Sequence, residues 1–345
     1  MPKIVALLLL GACGLSARPK ALFYLTRDPD SVQSFLAHAA KIDILVPTWY
    51  TVDAAGAVSG KPDESVLEAA RRNHVPVMPI IVNPGFNQEL IHKLMASPDA
   101  SRKMIDALIA ESKQHGYSGI QFDFENVNVA DRDLLSALVR DTAAALHREG
   151  LQLSIATVPN APAPPGTGPF YRWIYANWRD AYDLKALADS LDLVCLMTYD
   201  EHTRYTPPGP VAGYLWTLDN LEYALRFVPK EKLSLGIPLY GYRWFAGDPG
   251  KEGKPNVSSA TVRFPDLQQL LATFHPDVQW DAADRNSWFW FYRDAAREYV
   301  FFTDARTFRE RWNLANDRGL QGFCSWVLGA EDPAIWDALP DPRRQ

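Results

Sequence analysis

Residues 119–125 alternate polar and apolar side chains, a pattern typical of a β-strand. Successive side chains of a strand point to opposite faces, so Gln121, Asp123 and Glu125 share one face. Two carboxyl groups on one strand suit glycoside hydrolysis, in which one acts as the acid and the other as nucleophile or base. Strand geometry places their Cα atoms about 7 Å apart, a spacing that does not choose between retention and inversion.

Two other interpretations of Asp123 and Glu125 compete with catalysis. Buried charges are costly unless they are paired or used, so a structural salt-bridge network is one alternative. The other predicted strands offer almost no inward-pointing Lys or Arg to complete such a network. A metal site is the second alternative, but none of the seven His residues follows a strand in a ligand pattern. We therefore expect neither a metal nor a cofactor.

Eight apolar segments, most followed by helical sequence, would position these residues. They span residues 21–26, 42–46, 75–82, 119–125, 151–158, 191–199, 233–240 and 322–328. This count predicts an α/β fold, the (β/α)₈ TIM barrel, with its active site at the C-terminal ends of the strands. The rival is a doubly wound sheet, which normally has a glycine-rich loop after its first strand. Here that strand leads into Arg27-Asp28-Pro29-Asp30, where Asp30 could cap a helix over residues 31–40.

A long segment, residues 241–305, separates the seventh strand from its helix. It contains strand-like runs at 288–292 and 299–303 and a weak helix at 266–274. We predict a small α+β lobe inserted at about residues 243–305 of a barrel that spans residues 20–345. Loops at this end of a barrel carry substrate contacts.

The composition excludes several classes of protein. The chain has 345 residues, with 35 Lys and Arg against 41 Asp and Glu, and no run of five like charges, so we expect no nucleic-acid binding. Three Cys cannot form a disulfide scaffold. Cys195 and Cys324 fall in apolar strands and are expected to be buried thiols. We expect a monomer.

The first residues have the features of a targeting segment. Residues 4–10 form an apolar run after Lys3, far shorter than the ~20 residues that span a bilayer. The sequence LGAC at 10–13 resembles a bacterial lipobox, in which cleavage precedes Cys13 and a lipid is attached to it. We expect residues 1–19 to be a signal and tether, and the protein to reach the cell envelope with this anchor as its one membrane contact. A plain signal peptide cut near Ala17, or an apolar first strand, are the alternatives.

Four segments together resemble glycoside hydrolase family 18, the chitinase-like enzymes. They are SGIQFDFE at 118–125, MTYD at 197–200, LGIPLYG at 235–241 and GFCSWVLG at 322–329, at the ends of strands four, six, seven and eight. The sequence around 124–126 is most similar to the branch of bacterial spore-cortex and cell-wall hydrolases.

The resemblance implies a role for each matching residue. Glu125 would be the general acid, while the 2-acetamido oxygen of the substrate, rather than a protein group, attacks the anomeric carbon. Asp123 would orient the acetamido group and stabilise the charged intermediate, and Tyr199 would hold that group. Further sugar contacts would come from Met197, Asp200, Tyr240 and Trp326. Outside the motifs, Trp49, Trp216 and Trp244 are candidate platforms on which a sugar could stack.

One position departs from the family motif Asp-Gly-x-Asp-x-Asp-x-Glu in a way that affects the chemistry. Gln121 stands where the family has an Asp, and Ser118 replaces the first Asp before the strand. We assign Gln121 to substrate binding and expect Asp123, without a like-charged neighbour, to ionise more easily.

These features predict a retaining glycosidase that cuts β-1,4 bonds at N-acetylglucosamine residues in chitin or peptidoglycan-type glycans. The alternative is a catalytically silent, lectin-like barrel that binds the same polysaccharides. A structural barrel that assists polysaccharide export is a third hypothesis.

Overall fold

A closed barrel of eight parallel strands forms the body of the protein. The computed structural model describes residues 18–160, 166–245 and 259–339, so the predicted signal segment and Cys13 lie outside the described residues. The barrel strands are β1 (Lys20–Leu25), β2 (Ile44–Pro47), β5 (Ile80–Val82), β6 (Gly119–Asp123), β7 (Gln152–Thr157), β8 (Leu193–Leu196), β9 (Leu233–Pro238) and β15 (Gly322–Trp326). The predicted (β/α)₈ barrel is confirmed.

The third strand closes the barrel although only its last part is regular. The Leu45 N–H donates to the Pro76 carbonyl and the Met78 N–H donates to the Leu45 carbonyl, both at 2.9 Å. The predicted strand over 75–82 shortens to β5 because Pro76 and Pro79 have no N–H to give to a regular ladder.

A hairpin that the sequence analysis did not predict extends the sheet beside β5. It consists of β3 (Tyr50–Val52) and β4 (Val58–Gly60), paired antiparallel. Asp53 Oδ1 accepts the N–H groups of Ala55 and Ala57 at 2.9 and 2.8 Å across the turn. Gly56 has φ +76°, and a Cβ there would lie 2.0 Å from the Ala100 carbonyl oxygen, so the turn requires glycine.

Helices cover the outside of the barrel. They are α1 (Pro29–His38), α2 (Glu64–Arg72), α3 (Gln88–Ala96), α4 (Pro98–His115), α5 (Arg132–Arg148), α6 (Pro169–Ile174), α7 (Leu184–Ser190), α8 (Tyr214–Ala224), α10 (Ala305–Asp317) and α11 (Ile335–Ala338). The N-cap of α1 is Asp28, which accepts the Asp30 N–H at 2.9 Å, so the predicted cap at Asp30 is wrong by two residues. Pro29 at the first helical position favours this earlier start. No helix in the described ranges is long and apolar enough to cross a membrane.

The strands separate two apolar cores. The larger one packs the outer face of the barrel against the helices and includes Phe122 and Phe124. The smaller one fills the barrel interior and contains Leu22, Tyr24, Ile44, Val46, Met78, Ile80, Ala156, Leu193, Cys195, Met197 and Cys324. Cys195 and Cys324 are buried free thiols, as predicted. The polar residues of β6 share the interior with this smaller core.

The predicted insertion between the seventh strand and its helix is also confirmed. It contains five antiparallel strands, β10 (Gly241–Trp244), β11 (Ser259–Val262), β12 (Gln279–Asp281), β13 (Asn286–Arg293) and β14 (Ala296–Phe302), and α9 (Phe264–Phe274) lies among them in sequence. The strand order in the sheet is β11-β10-β14-β13-β12. Apolar residues of α9 and of one sheet face form a separate core, with Phe289 and Val300 fully buried.

Arg311 on α10 ties this lobe to the barrel. Its side chain is 1% exposed and donates to the carbonyls of Arg285 at 2.7 Å and Asp284 at 2.9 Å, and also to that of Ala212. The first two carbonyls belong to the lobe and the third to the segment after β8. Burial lowers the pKa of Arg311 to about 10, so the guanidinium stays charged at neutral pH.

We expect Arg311→Met to lower the free energy of unfolding by about 3 kcal/mol or more, because three carbonyls lose their charged donor. Urea denaturation measures the change. Arg309→Met on the same helix is the matched control, since Arg309 is exposed, and should stay within about 0.5 kcal/mol of the parent. Equal effects of the two substitutions would contradict the role of Arg311.

Candidate active site

Asp123 and Glu125 lie at the C-terminal mouth of the barrel, Asp123 within a strand and Glu125 in the segment that follows it. Asp123 is the last residue of β6, and Glu125 follows two residues later, outside the strand that was predicted to include it. The reason for the early end is Asn83. Its Oδ1 accepts the Glu125 N–H at 3.1 Å and its Nδ2 donates to the Glu125 carbonyl at 3.0 Å, which replaces strand pairing.

Asn83 and Tyr182 are site residues that the sequence analysis missed. Asn83 is fully buried directly after β5, and the Tyr182 hydroxyl donates to the Phe124 carbonyl at 2.6 Å. Both side chains therefore hold the main chain that carries Glu125. A polar residue directly after a buried barrel strand was the available signal for Asn83. Tyr182 follows no strand, and nothing in its sequence position marked it.

Burial dominates the electrostatics of the two carboxyl groups. It raises the pKa of Asp123 to about 7. Burial, and then the nearby Asp123 and Asp200, raise the pKa of Glu125 above its usual range. No Lys or Arg in the described part of the chain forms an ion pair with either group. The site therefore shifts both carboxyl groups towards their protonated form, which is the form that can donate a proton.

The segment after β8 brings Tyr199 and Asp200 to the same mouth. Tyr199 is half-buried, and its pKa is raised by burial and by the nearby Cys324, Asp123, Glu125 and Asp200, so its hydroxyl stays neutral. Tyr240, just after β9, donates to Asp200 Oδ1 at 2.6 Å.

Tyr242 on β10 donates to the same Asp200 oxygen at 3.3 Å. Asp200 has φ +61°, a backbone conformation that Asp tolerates better than most residues. Asp200 therefore joins the barrel mouth to the lobe.

Trp326 and Met197 border the interior below the mouth. Trp326 is the last residue of β15, is half-buried, and has its ring 5.3 Å from that of Tyr24. Met197 is 7% exposed and belongs to the barrel-interior core. Trp326 thus keeps exposed surface that a ligand could contact, whereas Met197 forms part of the apolar floor.

The structure does not place Gln121 and Trp49 where a sugar could reach them. Gln121 has no exposed surface, and Trp49 is 3% exposed in the outer core, where its ring lies 6.1 Å from that of Tyr117. Of the other two candidate platforms, Trp244 is 7% exposed and Trp216 is half-buried on α8. The assignment of Gln121 and Trp49 to substrate contact is therefore corrected: alternation gives the face of a side chain, not its depth.

Gln121 instead forms part of the barrel interior beneath Asp123. Its Nε2 donates to Ser154 Oγ at 2.9 Å and to Cys195 Sγ at 3.3 Å, so both amide hydrogens are used. Its Oε1 and Asp123 Oδ1 are buried, and neither has a hydrogen-bond partner within the described ranges. Burial raises the pKa of Asp123, and the expectation that Gln121 makes Asp123 easier to ionise than a neighbouring Asp would stays a prediction.

Comparison with known proteins identifies the family. Residues 22–331 match the family model "Glycosyl hydrolases family 18". The chain belongs to this family. The four motifs therefore predicted the family correctly, and the expectation of a glycosidase is confirmed at the family level.

Three relatives illustrate the similarity. A chitinase from Chromobacterium violaceum has a TM-score of 0.83 and 27% identity over 95% of this chain and 99% of that chain. The Bacillus subtilis cortical fragment-lytic enzyme is 28% identical over 80% of this chain and 62% of the relative. The Bacillus megaterium spore cortex-lytic enzyme SleL shares the fold, with a TM-score of 0.82 and 23% identity over 94% of this chain and 74% of that chain. The predicted similarity to spore-cortex hydrolases is confirmed.

The mouth presents the carboxyl groups of Asp123, Glu125 and Asp200 and the neutral hydroxyl of Tyr199. No group of three or more His, Cys, Asp or Glu side chains that could hold a metal ion occurs among the described residues.

The raised pKa of Asp123 predicts a specific pH dependence of stability. The pKa of Asp is about 3.9 in the unfolded chain and about 7 here, so the folded state retains a proton that the unfolded state loses. This contribution is complete below pH ~4 and is lost as the pH rises to about 7. We therefore expect Asp123→Asn to gain stability relative to the parent over this window, by at most about 4 kcal/mol.

Urea denaturation at pH 4, 6 and 8 measures the difference. Asp219→Asn, at an exposed position on α8, is the control and should follow the parent curve. A difference in unfolding free energy between Asp123→Asn and the parent that does not change with pH would contradict the conclusion that burial raises the pKa of Asp123.

Proposed function

We propose that this chain is a retaining glycosidase that hydrolyses β-1,4 bonds at N-acetylglucosamine residues in chitin or peptidoglycan-type glycans. The observation that carries the proposal is the position of Glu125. Its carboxyl group lies at the barrel mouth on a main chain that Asn83 fixes, and burial and two neighbouring carboxyl groups raise its pKa. A proton donor of raised pKa is what cleavage of a glycosidic bond requires.

In the first step Glu125 protonates the glycosidic oxygen as the bond to the anomeric carbon breaks. The acetamido carbonyl oxygen of the same sugar attacks the anomeric carbon and forms a cyclic oxazolinium ion. We assign the nucleophile to the substrate because the chain belongs to glycoside hydrolase family 18, whose reaction is substrate-assisted. Asp123 and Tyr199 would orient the acetamido group through its N–H and oxygen.

In the second step water attacks the anomeric carbon and the Glu125 carboxylate accepts its proton. The oxazolinium ring opens, the acetamido group is restored, and the β configuration returns after two displacements. Trp326, Tyr240 and Asp200 would contact the sugar that undergoes this change.

Two relatives support the choice of polymer. One is described as a chitinase and the other as a cortical fragment-lytic enzyme, which correspond to the two substrate classes proposed. The chain covers 62% of the length of the second relative. We further propose secretion to the cell envelope, with Cys13 as the lipidation site.

We expect Glu125→Gln to reduce kcat at least ~10²-fold, because the amide keeps the shape but has no acidic proton to transfer. Binding of N-acetylated oligosaccharides should persist. Steady-state kinetics and calorimetric binding provide the two readouts. Glu231→Gln, an exposed carboxyl far along the sequence, is the control and should leave both unchanged. Binding without turnover in the parent itself would indicate the lectin-like alternative.

The mechanism predicts the first-formed product and the substrate requirement. NMR at early times should detect the β-anomer. A deacetylated glucosamine oligomer should react far more slowly than the N-acetylated one, because a positioned intramolecular nucleophile can contribute about 7–11 kcal/mol. An early α-anomer would exclude the substrate-assisted mechanism.

A further inference from the structure

One face of the lobe sheet is aromatic and lies open. Strand register places Tyr242 beside Phe301, Phe301 beside Trp288, and Tyr299 beside Trp290, all on the same face. Tyr292 follows on this face, two residues after Trp290. We call these six residues the aromatic face: Tyr242, Trp288, Trp290, Tyr292, Tyr299 and Phe301.

The aromatic face differs from an ordinary core in its exposure. The opposite face of the sheet packs against α9 and is closed, with Phe289 and Val300 fully buried. The aromatic face is half-buried over most of its area, and Tyr292 is 55% exposed. Exposed contiguous aromatic surface of this kind marks a binding surface.

The aromatic face is continuous with the candidate active site. Tyr242 begins it and donates to Asp200 at the barrel mouth at 3.3 Å. The rings of Phe301 and Trp288 stack at 5.4 Å and 10° in the next strands. A cavity of about 260 Å³, lined in part by Gln279, Trp290 and Tyr292, borders the far end. A chain-like ligand that leaves the mouth along the lobe would therefore meet aromatic rings throughout.

A single arginine stands at the far end of the aromatic face. Arg297 is exposed, lies over the rings of Trp290 at 4.6 Å and Tyr292 at 5.4 Å, and donates to the hydroxyls of Tyr292 at 3.0 Å and Tyr299 at 3.4 Å. No carboxylate in the described ranges pairs with it. Four residues of strand separate it from Phe301, which is about 13 Å.

Two other arginines of this sheet, unlike Arg297, form ion pairs with a carboxylate. Arg243 and Arg293 point to the opposite face and pair with the buried Glu298, at 2.6 and 3.5 Å. Arg297 alone among these three has its N–H donors directed to neutral hydroxyls. A guanidinium fixed by rings and hydroxyls, but without a counter-charge, is suited to receive a carboxylate in a defined geometry.

We propose that the aromatic face binds the glycan beyond the catalytic mouth and that Arg297 selects glycans that carry carboxylate groups. This inference rests on the proposed function, because it takes the ligand to be a glycan, and it narrows the substrate class from N-acetylated glycans in general to those that carry carboxylate groups. The aromatic rings supply contact area for any sugar, whereas Arg297 supplies the discrimination.

The test compares ligands that differ only in charge. The acidic ligand is an N-acetylated β-1,4 glycan strand with free lactyl carboxylates, and the neutral ligand is the same strand with these groups converted to amides. Binding is measured by calorimetry in a Glu125→Gln background, so that no ligand is consumed. The same variants with Glu125 retained give KM and kcat.

We expect Arg297→Gln to weaken binding of the acidic strand about threefold to tenfold and to remove most of its salt dependence. Binding of the neutral strand and kcat should not change. Arg293→Gln is the matched control, with the same loss of charge on the opposite face, and should bind both strands like the parent. Trp288→Ala, which removes a ring that stacks on Phe301 and leaves the rings beside Arg297 in place, should weaken both strands to a similar extent.

Two results would overturn the inference. One is unchanged binding of the acidic strand by Arg297→Gln, and the other is an equal loss for both strands. Either result leaves the proposed function intact if the protein with Glu125 hydrolyses N-acetylated oligomers. Absence of that hydrolysis would contradict the proposed function, while the binding comparison would still test the aromatic face separately.

Discussion

Asp123 is buried and Glu125 half-buried, no Lys or Arg of the described residues pairs with either, and much of the site follows from this. An ionised carboxylate is strongly disfavoured in such a position, so the proton stays on the group unless the group finds donors. The tyrosine hydroxyls near the pair stay neutral because burial raises their pKa, and two of them donate to other groups, Tyr182 to the Phe124 carbonyl and Tyr240 to Asp200. The mouth can therefore hold an acid at neutral pH and can stabilise a positive charge on a bound sugar when a carboxyl group ionises.

A proton donor such as Glu125 can act only if its position is fixed. Here side chains, rather than neighbouring strands, provide the hydrogen bonds that fix its main chain. β6 ends at Asp123, so the main chain of Glu125 is free of the parallel ladder. Asn83 holds this main chain through both its N–H and its carbonyl, and Tyr182 holds the carbonyl one residue earlier. The amide of Asn83 is suited to this role because it carries one acceptor and one donor group on a short side chain.

The sequence pattern predicted the order of the strands and helices and the face of the sheet on which a side chain lies. It predicted less well how deeply a side chain is buried and where a strand ends. Apolar segments separated by helical sequence were enough to predict the barrel, and the interruption after β9 was enough to predict the lobe. Alternation placed Gln121 and Asp123 correctly in the interior but could not reveal that Gln121 lies too deep to meet a sugar. The end of β6 depended on Asn83, which is distant in sequence, and the hairpin of β3 and β4 depended on a four-residue turn within a segment without strong periodicity.

The lobe is held to the site by connections of three kinds, and together they make it a fixed wall of the mouth. β9 and β10 are separated by only Leu239 and Tyr240, so the covalent chain leaves little freedom between barrel and lobe. Asp200 accepts hydrogen bonds from two hydroxyl groups, that of Tyr240 after the barrel strand β9 and that of Tyr242 on the lobe strand β10. Arg311 donates hydrogen bonds both to carbonyl groups of the lobe and to a carbonyl group of the segment after β8. These connections restrict rotation of the lobe relative to the barrel, so they favour one orientation of the aromatic face relative to Glu125.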